Sequence, residues 1–186
     1  MPKPWHNGKW MPTVSVLMIL AAGASGCSAA QPAPEDLLPI LATEDAGMES
    51  IPPEFSSRLD ADDLNQPTRV RFLGENDTAA VWAGVDAQNH LCVYYDLVDD
   101  DGGGGSVCMP PELFAEHGSH GSSASEIGNV QRHEGYVLAP EGYVLDEVPR
   151  GLEKILDNLY AGDLSRAVGP MAFRNHVTGH EITFFQ

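Results

Sequence analysis

Four short apolar segments, separated by turn-forming residues, most constrain how this chain can fold. The first segment alternates, with Val70 and Phe72 on one side and Arg69 and Arg71 on the other, which is typical of a half-buried strand. Clusters of Gly, Asn and Asp between the segments predict tight turns. Because these spacings suit hairpins, we expect a mainly antiparallel sheet. The four segments are residues 68–73, 79–85, 90–98 and 106–109.

The strongest helical pattern lies in residues 149–162. Its apolar side chains recur at i, i+3, i+4 and i+7, which predicts an amphipathic helix that Gly162 ends. Shorter helices are predicted within residues 51–64 and 110–118, the second with Leu113 and Phe114 facing inward. The fold class is therefore α+β: a small, mainly antiparallel sheet with one amphipathic helix, one or two short helices and one disulfide. The apolar residues of the amphipathic helix are Leu152, Ile155, Leu156 and Leu159.

The remaining segments of the domain predict one loop and more strands. Residues 118–129 are small and polar, which indicates a loop. The motif Gly-Tyr-Val-Leu occurs at residues 135–138 and again at 142–145. The link between the two copies, residues 139–142, suits a turn with Pro second and Gly last, so we expect a hairpin here. Two apolar segments near the end of the sequence, 171–173 and 182–185, are predicted strands.

Residues 1–26 have the pattern of an export signal. Residues 1–12 carry two lysines and no acid, an apolar run at residues 14–22 follows, and small residues then lead to Cys27. The apolar run is about ten residues, or roughly 15 Å of helix. A bilayer core is about 30 Å thick, so the run is too short to remain as a spanning helix.

Two cleavage sites are compatible with this signal. The segment Ala24-Ser25-Gly26-Cys27 resembles a bacterial lipobox, and the resemblance implies cleavage before Cys27 and a diacylglyceryl thioether on its sulfur. The alternative is ordinary cleavage after Ala22-Gly23-Ala24, which gives a secreted protein. The chain has three cysteines, and lipidation of Cys27 leaves an even pair. We therefore expect a lipid-anchored protein on the extracytoplasmic face of the cell membrane, with secretion as the alternative.

The even pair is Cys92 and Cys108, which lie on adjacent predicted strands. An exported protein folds in an oxidising compartment, so we expect a disulfide between them. Closing a loop of this length stabilises the fold by roughly 3 kcal/mol in the chain-entropy model. The alternative is two buried free thiols. A redox role is not indicated, because the chain has no C-x-x-C motif.

Composition defines the domain organisation and the partners. Residues 27–50, rich in Ala, Pro and acids, predict a lipidated N-terminus and a flexible tether with a reach of roughly 25–30 Å. As an alternative, leucines around Pro39 form a short helix that docks on the domain. Residues 51–186 are expected to form a single globular domain. The net charge of −17 argues against nucleic acid as a partner, which leaves the membrane through the lipid anchor and a protein or cell-envelope partner.

No motif in the sequence indicates a catalytic site or a cofactor. The nucleophile elbow, the phosphate-binding loop and the dinucleotide fingerprint are all absent. His176 and His180 have a spacing that suits metal binding on a helix, but they flank a predicted turn, so they are only a minor metal candidate. The sequence favours a non-catalytic binding or structural domain. The alternatives are a metal-binding lipoprotein and an enzyme that uses carboxylates and histidines.

Residues 68–118 also look like small exported proteins and lipoproteins of actinobacteria. Those proteins combine an R-x-L-G-like strand, a WAG-V-D-like strand, a turn and a cysteine pair that leads into a PP-x-x-F-like helix. The shared part is less than a third of this chain. The resemblance implies a surface protein without assigned catalysis.

Overall fold

The structure is a computed structural model that describes residues 31–43, 51, 69–98, 103–127 and 130–184. The chain divides into two units, Met1–Ala30 and Gln31–Gln186, and every described residue belongs to the second. The described strands are β1 (Arg69–Glu75), β2 (Ala79–Val85), β3 (Leu91–Leu97), β4 (Gly104–Met109), β5 (Ser119–Ile127), β6 (Val130–Leu138), β7 (Tyr143–Leu145), β8 (Leu152–Leu156), β9 (Leu159–Asp163), β10 (Met171–Asn175) and β11 (Glu181–Phe184). The described helices are two α-helices, Pro34–Leu37 and Pro111–His117, and two 3₁₀ helices, Pro39–Ala42 and Leu164–Arg166.

The strands form three antiparallel sheets, which confirms a mainly antiparallel fold with few helices. Sheet 1 has the order β1-β2-β3-β4, sheet 2 the order β5-β6-β9-β8, and sheet 3 the order β11-β10-β7. Sheet 1 is a meander of neighbouring strands. Sheet 2 is not, because β6 pairs with β9 while β7 leaves to join sheet 3.

Sheet 2 is the middle layer, and its central strands β6 and β9 are buried on both faces. Side chains point alternately to the two faces of a strand. Tyr136 and Leu138 on β6 pack with the inner face of sheet 1, whereas Val137 between them packs with sheet 3. On β9, Leu159 packs toward sheet 1 and Tyr160 packs toward sheet 3. The two layers on either side therefore share sheet 2 as their common wall.

Sheet 1 has the four strands that the sequence predicts. Its inward residues on β3 are buried, as expected, and they are Leu91, Val93, Tyr95 and Leu97. The expectation that β1 is only half-buried is wrong. The other face of sheet 1 is also buried, at Val70, Trp82, Cys92 and Tyr94. Arg71 is only 6% exposed, because its guanidinium donates to the carbonyls of Val70 at 2.9 Å and Thr43 at 2.5 Å.

The predicted amphipathic helix at residues 149–162 is wrong. This segment forms the hairpin β8–β9, with Leu156 paired to Leu159 across a two-residue turn. Its apolar residues have helical spacing by coincidence, because Leu152 and Leu159 are buried on separate strands of the hairpin. Gly162 does not end a helix. It lies within β9, where a Cβ atom would be 2.0 Å from the Gly151 carbonyl oxygen, so close pairing of these backbones requires glycine.

Two predictions for the preceding part of the chain, residues 118–145, are also wrong. Most of the predicted loop at residues 118–129 is β5, which pairs along its length with β6. Its small residues have a packing role, since a Cβ at Gly121 would be 2.6 Å from the Tyr95 ring and 2.7 Å from the Tyr136 ring. The predicted hairpin of the two Gly-Tyr-Val-Leu copies is absent, because β6 and β7 belong to different sheets. The turn between them exists, with Gly142 at φ +84°.

Residues 31–43 pack against the domain, as in the docked alternative to a flexible tether. Leu38 and Leu41 are 3% and 1% exposed within the same core as sheets 1 and 2. The Leu37 carbonyl accepts the Glu141 N–H at 2.7 Å, and Glu35 forms an ion pair with Arg69. Proline 39 interrupts the α-helix but begins the 3₁₀ turn that inserts Leu41. Residues 27–30 and 44–50 of the predicted tether lie outside the described residues.

The remaining predicted elements have mixed outcomes. The helix Pro111–His117 is confirmed and buries Phe114, but Leu113 is 44% exposed instead of facing inward. The strands near the end of the sequence are confirmed as β10 and β11. Apart from Ile51, the predicted helix at residues 51–64 lies outside the described residues. None of the helices described here is long and apolar enough to cross a membrane.

Candidate functional site

The candidate site is built on the turn between β2 and β3, which carries the only buried carboxylate among the described residues. That residue is Asp86, which is 3% exposed. Two backbone hydrogen bonds of 3.1 Å close the turn. The Asp86 N–H donates to the His90 carbonyl, and the Asn89 N–H donates to the Asp86 carbonyl. Asn89 adopts φ +63°, a left-handed conformation that asparagine tolerates.

The Asp86 carboxylate is fully engaged by its own turn. Its Oδ1 accepts the backbone N–H groups of Gln88 and His90, both at 2.8 Å, and its Oδ2 lies 3.0 Å from Nδ1 of His90. An aspartate at the start of a turn commonly accepts from the backbone two residues later. Here the same group also orients the imidazole. A neutral His90 that donates from Nδ1 keeps its Nε2 as an acceptor.

A cavity of about 340 Å³ lies beside this pair of side chains. It is bounded by the β2–β3 turn, by the start of the helix Pro111–His117 and by the first described residues of the chain. His90 and Glu112 both line it, and Gln31 donates from Nε2 to Oε1 of Glu112 at 3.0 Å. The cavity therefore brings an oriented imidazole and a carboxylate to one surface depression, with residues 31–33 as one wall.

The Cys92–Cys108 disulfide borders the same turn, and the predicted pairing is confirmed. The two residues are directly opposite each other on β3 and β4, and their sulfurs are 2.01 Å apart. An Asp86 carboxylate oxygen and both sulfurs lie within 4.8 Å of one another, the only such group of three potential metal ligands among the described residues. Because a disulfide offers no thiolate, Asp86 alone remains, which is too few ligands to hold an ion.

The negative charge of Asp86 also affects its surroundings. Burial raises the pKa of the Tyr94 hydroxyl to about 12, and the nearby Asp86 charge adds to this increase. An ionised Tyr94 would be unfavourable for two reasons: its charge would be buried, and it would lie near the negative charge of Asp86. Tyr94 is therefore a neutral, buried part of the wall behind the turn and has no acid–base role near neutral pH.

The arrangement has two of the three parts of a nucleophilic triad. Asp86 and His90 match the orienting carboxylate and the general base. The described side chains that line the cavity belong to Gln, Pro, Ala, Asn, His and Glu residues, and none of these offers a hydroxyl or a thiol as a nucleophile. The geometry suits hydrogen bonding to a ligand through His90, Glu112 and the amides of the turn.

His176 and His180, the minor metal candidates, flank the turn between β10 and β11 as expected, but each has its own partner. His176 Nε2 lies 3.3 Å from Oδ1 of Asp146. His180 Nδ1 lies 2.8 Å from the Tyr143 hydroxyl, and the two rings meet edge to face. The one group of three possible ligands that the described residues contain includes neither histidine. The structure therefore does not combine them into a metal site.

Cys27, the predicted lipidation site, lies outside the described residues. Asp86 and His90 were expected only as parts of a turn and a strand, and their pairing was missed. A usable signal was present, because an aspartate at the first position of a turn accepts backbone N–H groups, and a histidine four residues later returns to its side in a tight hairpin. The spacing is common in ordinary turns, so it indicates a geometry and not a function.

Comparison of the chain with known protein families, with curated proteins and with solved structures found no significant match.

Proposed function

We propose that this chain is a lipoprotein anchored through Cys27 at the extracytoplasmic face of the cell membrane, with a non-catalytic β domain that binds a ligand or partner. The observation that carries this proposal is the pairing of Cys92 with Cys108. The chain has three cysteines, so Cys27 is the one that remains, and it stands at the lipobox-like position. A disulfide is also the state expected for an exported protein.

The binding role rests on the shape and chemistry of the domain. The described residues of the cavity beside His90 offer hydrogen-bonding groups and no nucleophile, which favours recognition over bond cleavage. The full chain has a net charge of −17, which disfavours adhesion to anionic lipid, so a membrane location depends on the acyl chains. Because Leu38 and Leu41 are buried in the core, residues 31–43 belong to the domain, and residues 27–30 are the part of the predicted tether that precedes it.

Fatty-acid labelling of the full chain tests the anchor. The protein is expressed in a bacterial host with lipoprotein-processing enzymes, supplied with labelled palmitate and separated by detergent phase partitioning. We expect wild type to take up label and enter the detergent phase, and Cys27→Ala to do neither. The matched control is the double variant Cys92→Ala/Cys108→Ala, which removes the other two cysteines and should keep the label. Unlabelled wild-type protein in the aqueous phase contradicts the proposal, as does a labelled Cys27→Ala variant.

A further inference from the structure

We infer that a second cleft, between the loop before β8 and the loop after the 3₁₀ helix Leu164–Arg166, binds a small organic ligand through an oxyanion, either carboxylate or phosphate. The cleft has a volume of about 420 Å³ and is lined by Arg150 and Arg166. This cleft shares no lining residue with the cavity beside His90, so the inference adds a second binding site to the role proposed above. It does not depend on lipidation, so failure of the labelling test leaves it standing.

The charges of the described residues single out this cleft. Six lysine and arginine side chains are described, and four of them are already engaged by carboxylates or backbone carbonyls. Neither Arg150 nor Arg166 forms an ion pair with any carboxylate in the described part of the chain. In a chain with 27 acids and 10 bases, two unpaired arginines in one cleft are a marked local reversal of charge. The four engaged side chains are Arg69, Arg71, Lys154 and Arg174.

The backbone fixes both arginines on neighbouring segments. Arg166 ends a 3₁₀ helix whose first turn is capped by Asp163, which accepts the Ser165 N–H at 3.1 Å. The Gly151 carbonyl accepts the Asp163 N–H at 3.0 Å, which ties the loop that carries Arg150 to β9. Gly151 has φ +95°, and a Cβ there would be 2.8 Å from the Arg166 Cβ. Glycine at this position therefore lets the Arg166 stem lie directly against the loop.

The lining of the cleft defines the ligand further. A guanidinium presents several N–H donors in one plane, which matches the oxygens of a carboxylate or a phosphate. Val148 and Val168 also line the cleft and are 43% and 94% exposed, so they offer apolar contact next to the arginines. Glu147 is a third charged neighbour and disfavours a second negative group on the ligand. These features fit a ligand with one anionic group and an apolar part, and the acidic remainder of the domain repels a polyanion.

Equilibrium binding to the full chain in detergent tests the inference. The probes are hexanoate, acetate, inorganic phosphate and the uncharged hexanamide, followed by calorimetry or NMR shifts at low ionic strength. We expect saturable binding of hexanoate that is tighter than binding of acetate, and no binding of hexanamide. Phosphate binding that exceeds acetate binding assigns the site to phosphate monoesters, and the reverse order assigns it to carboxylates. Absence of saturation for all three anions overturns the inference.

Substitutions locate the site and control for net charge. Arg150→Gln and Arg166→Gln should each weaken hexanoate binding about tenfold, because each removes a charged hydrogen-bond donor. Lys154→Gln removes the same charge from β8, outside the residues that line the cleft, and should leave the affinity unchanged. All three side chains are exposed, so the melting temperature of each variant should stay close to that of wild type. Equal weakening by Lys154→Gln overturns the inference, since binding then follows net charge alone.

Discussion

Sheet 1 and sheet 2 each contain four antiparallel strands, but they are assembled in different ways. In sheet 1, each strand pairs with the next one in the sequence. In sheet 2, β6 pairs with β9, and the chain between them visits sheet 3. Local pairing leaves its signal in a short stretch of sequence, as turns and alternation. The β6–β9 pairing leaves no such signal, because the partner strand is chosen by tertiary packing, although β5–β6 and β8–β9 in the same sheet are pairs of neighbouring strands.

The two sheets are also held by different chemistry. Sheet 1 has a covalent link between β3 and β4. Sheet 2 and the loop beside it rely on close backbone approach at glycines, since a Cβ at Gly135 would be 2.2 Å from the Gly121 carbonyl and one at Gly162 would be 2.0 Å from the Gly151 carbonyl. Side chains near the disulfide of sheet 1 can change without breaking it. At the glycines of sheet 2, by contrast, any added side chain collides with the neighbouring backbone. The difference can be tested by substitutions in each sheet.

The largest effect is expected for Gly162→Ala in sheet 2. The new methyl group would meet a backbone oxygen and would stand on a residue at φ +156°, so we expect a loss of about 4 kcal/mol in the free energy of unfolding. The control is Gly169→Ala, which has φ +97° but no atom within 4 Å of the added Cβ, and should cost about 1 kcal/mol. Urea denaturation followed by circular dichroism measures both.

The same variant separates the hairpin from the amphipathic helix that the sequence predicts. The predicted helix ends at Gly162, where a positive φ would also favour glycine, so Gly→Ala would cost about 1 kcal/mol there. A Gly162→Ala protein that loses no more stability than Gly169→Ala therefore contradicts the close backbone contact of the β8–β9 hairpin. The apolar residues at 152, 155, 156 and 159 fit either structure by spacing alone, since short apolar runs are ambiguous between helix and strand.

Much of sheet 1 and little of sheet 2 could be predicted from the sequence, for identifiable reasons. The strand limits of β2 and the inward face of β3 follow from alternation and turns, and the Cys92–Cys108 pairing follows from their adjacent strands. At residues 149–162, the turn-forming pair Asp157-Asn158 is compatible with a hairpin, but the helical spacing of the apolar residues around it favours a helix. Serine-rich β5 carries no strand signal, because its glycine serves the packing of two tyrosine rings from other strands. The Asp86–His90 pair needed the exact geometry of its turn.

The next effect concerns the cross-link of sheet 1. The double variant Cys92→Ala/Cys108→Ala should lose about 3 kcal/mol in the free energy of unfolding, because the denatured chain regains the entropy of an open loop. Cys27→Ala is the control and should leave this free energy unchanged. Mass spectrometry after alkylation of the denatured, unreduced wild-type protein checks the pairing directly. Two alkylated cysteines at positions 92 and 108 are incompatible with the disulfide.

A smaller effect is expected at the turn of the β8–β9 hairpin. Asn158 is 3% exposed and donates from Nδ2 to the Ala139 carbonyl at 2.8 Å. Asn158→Ala leaves this carbonyl without the side-chain donor and should cost about 2 kcal/mol. Its neighbour Asp157 is exposed and forms a surface ion pair with Lys154, so Asp157→Ala should cost about 0.5 kcal/mol or less. Equal losses for the two variants would show that the turn is not docked on Ala139.

The smallest effect at neutral pH compares two fully buried tyrosines, one in each sheet. The Tyr94 hydroxyl in sheet 1 has no hydrogen-bond partner among the described residues, whereas the Tyr136 hydroxyl in sheet 2 lies 2.9 Å from Oγ of Ser119. Tyr94→Phe removes a buried unpaired hydroxyl and should stabilise by about 1 kcal/mol. Tyr136→Phe leaves the Ser119 hydroxyl unpaired and should destabilise by about 1 kcal/mol. The same sign for both variants contradicts this difference between the sheets.

At alkaline pH we expect the stability difference between wild type and Tyr94→Phe to increase. Burial, with the Asp86 charge, raises the Tyr94 pKa to about 12, while an unfolded tyrosine has a pKa of about 10. The raised pKa contributes stability in full below pH 10. Between pH 10 and 12 the unfolded state loses its proton while the folded state keeps it, so wild-type stability falls by about 1.4 kcal/mol per pH unit from this group. Tyr94→Phe lacks that loss, and its advantage over wild type in urea denaturation should therefore grow from pH 9 to pH 11. A constant difference across this range shows that Tyr94 is ionised as easily in the folded protein as in the unfolded chain, and that the outer face of sheet 1 is open to water.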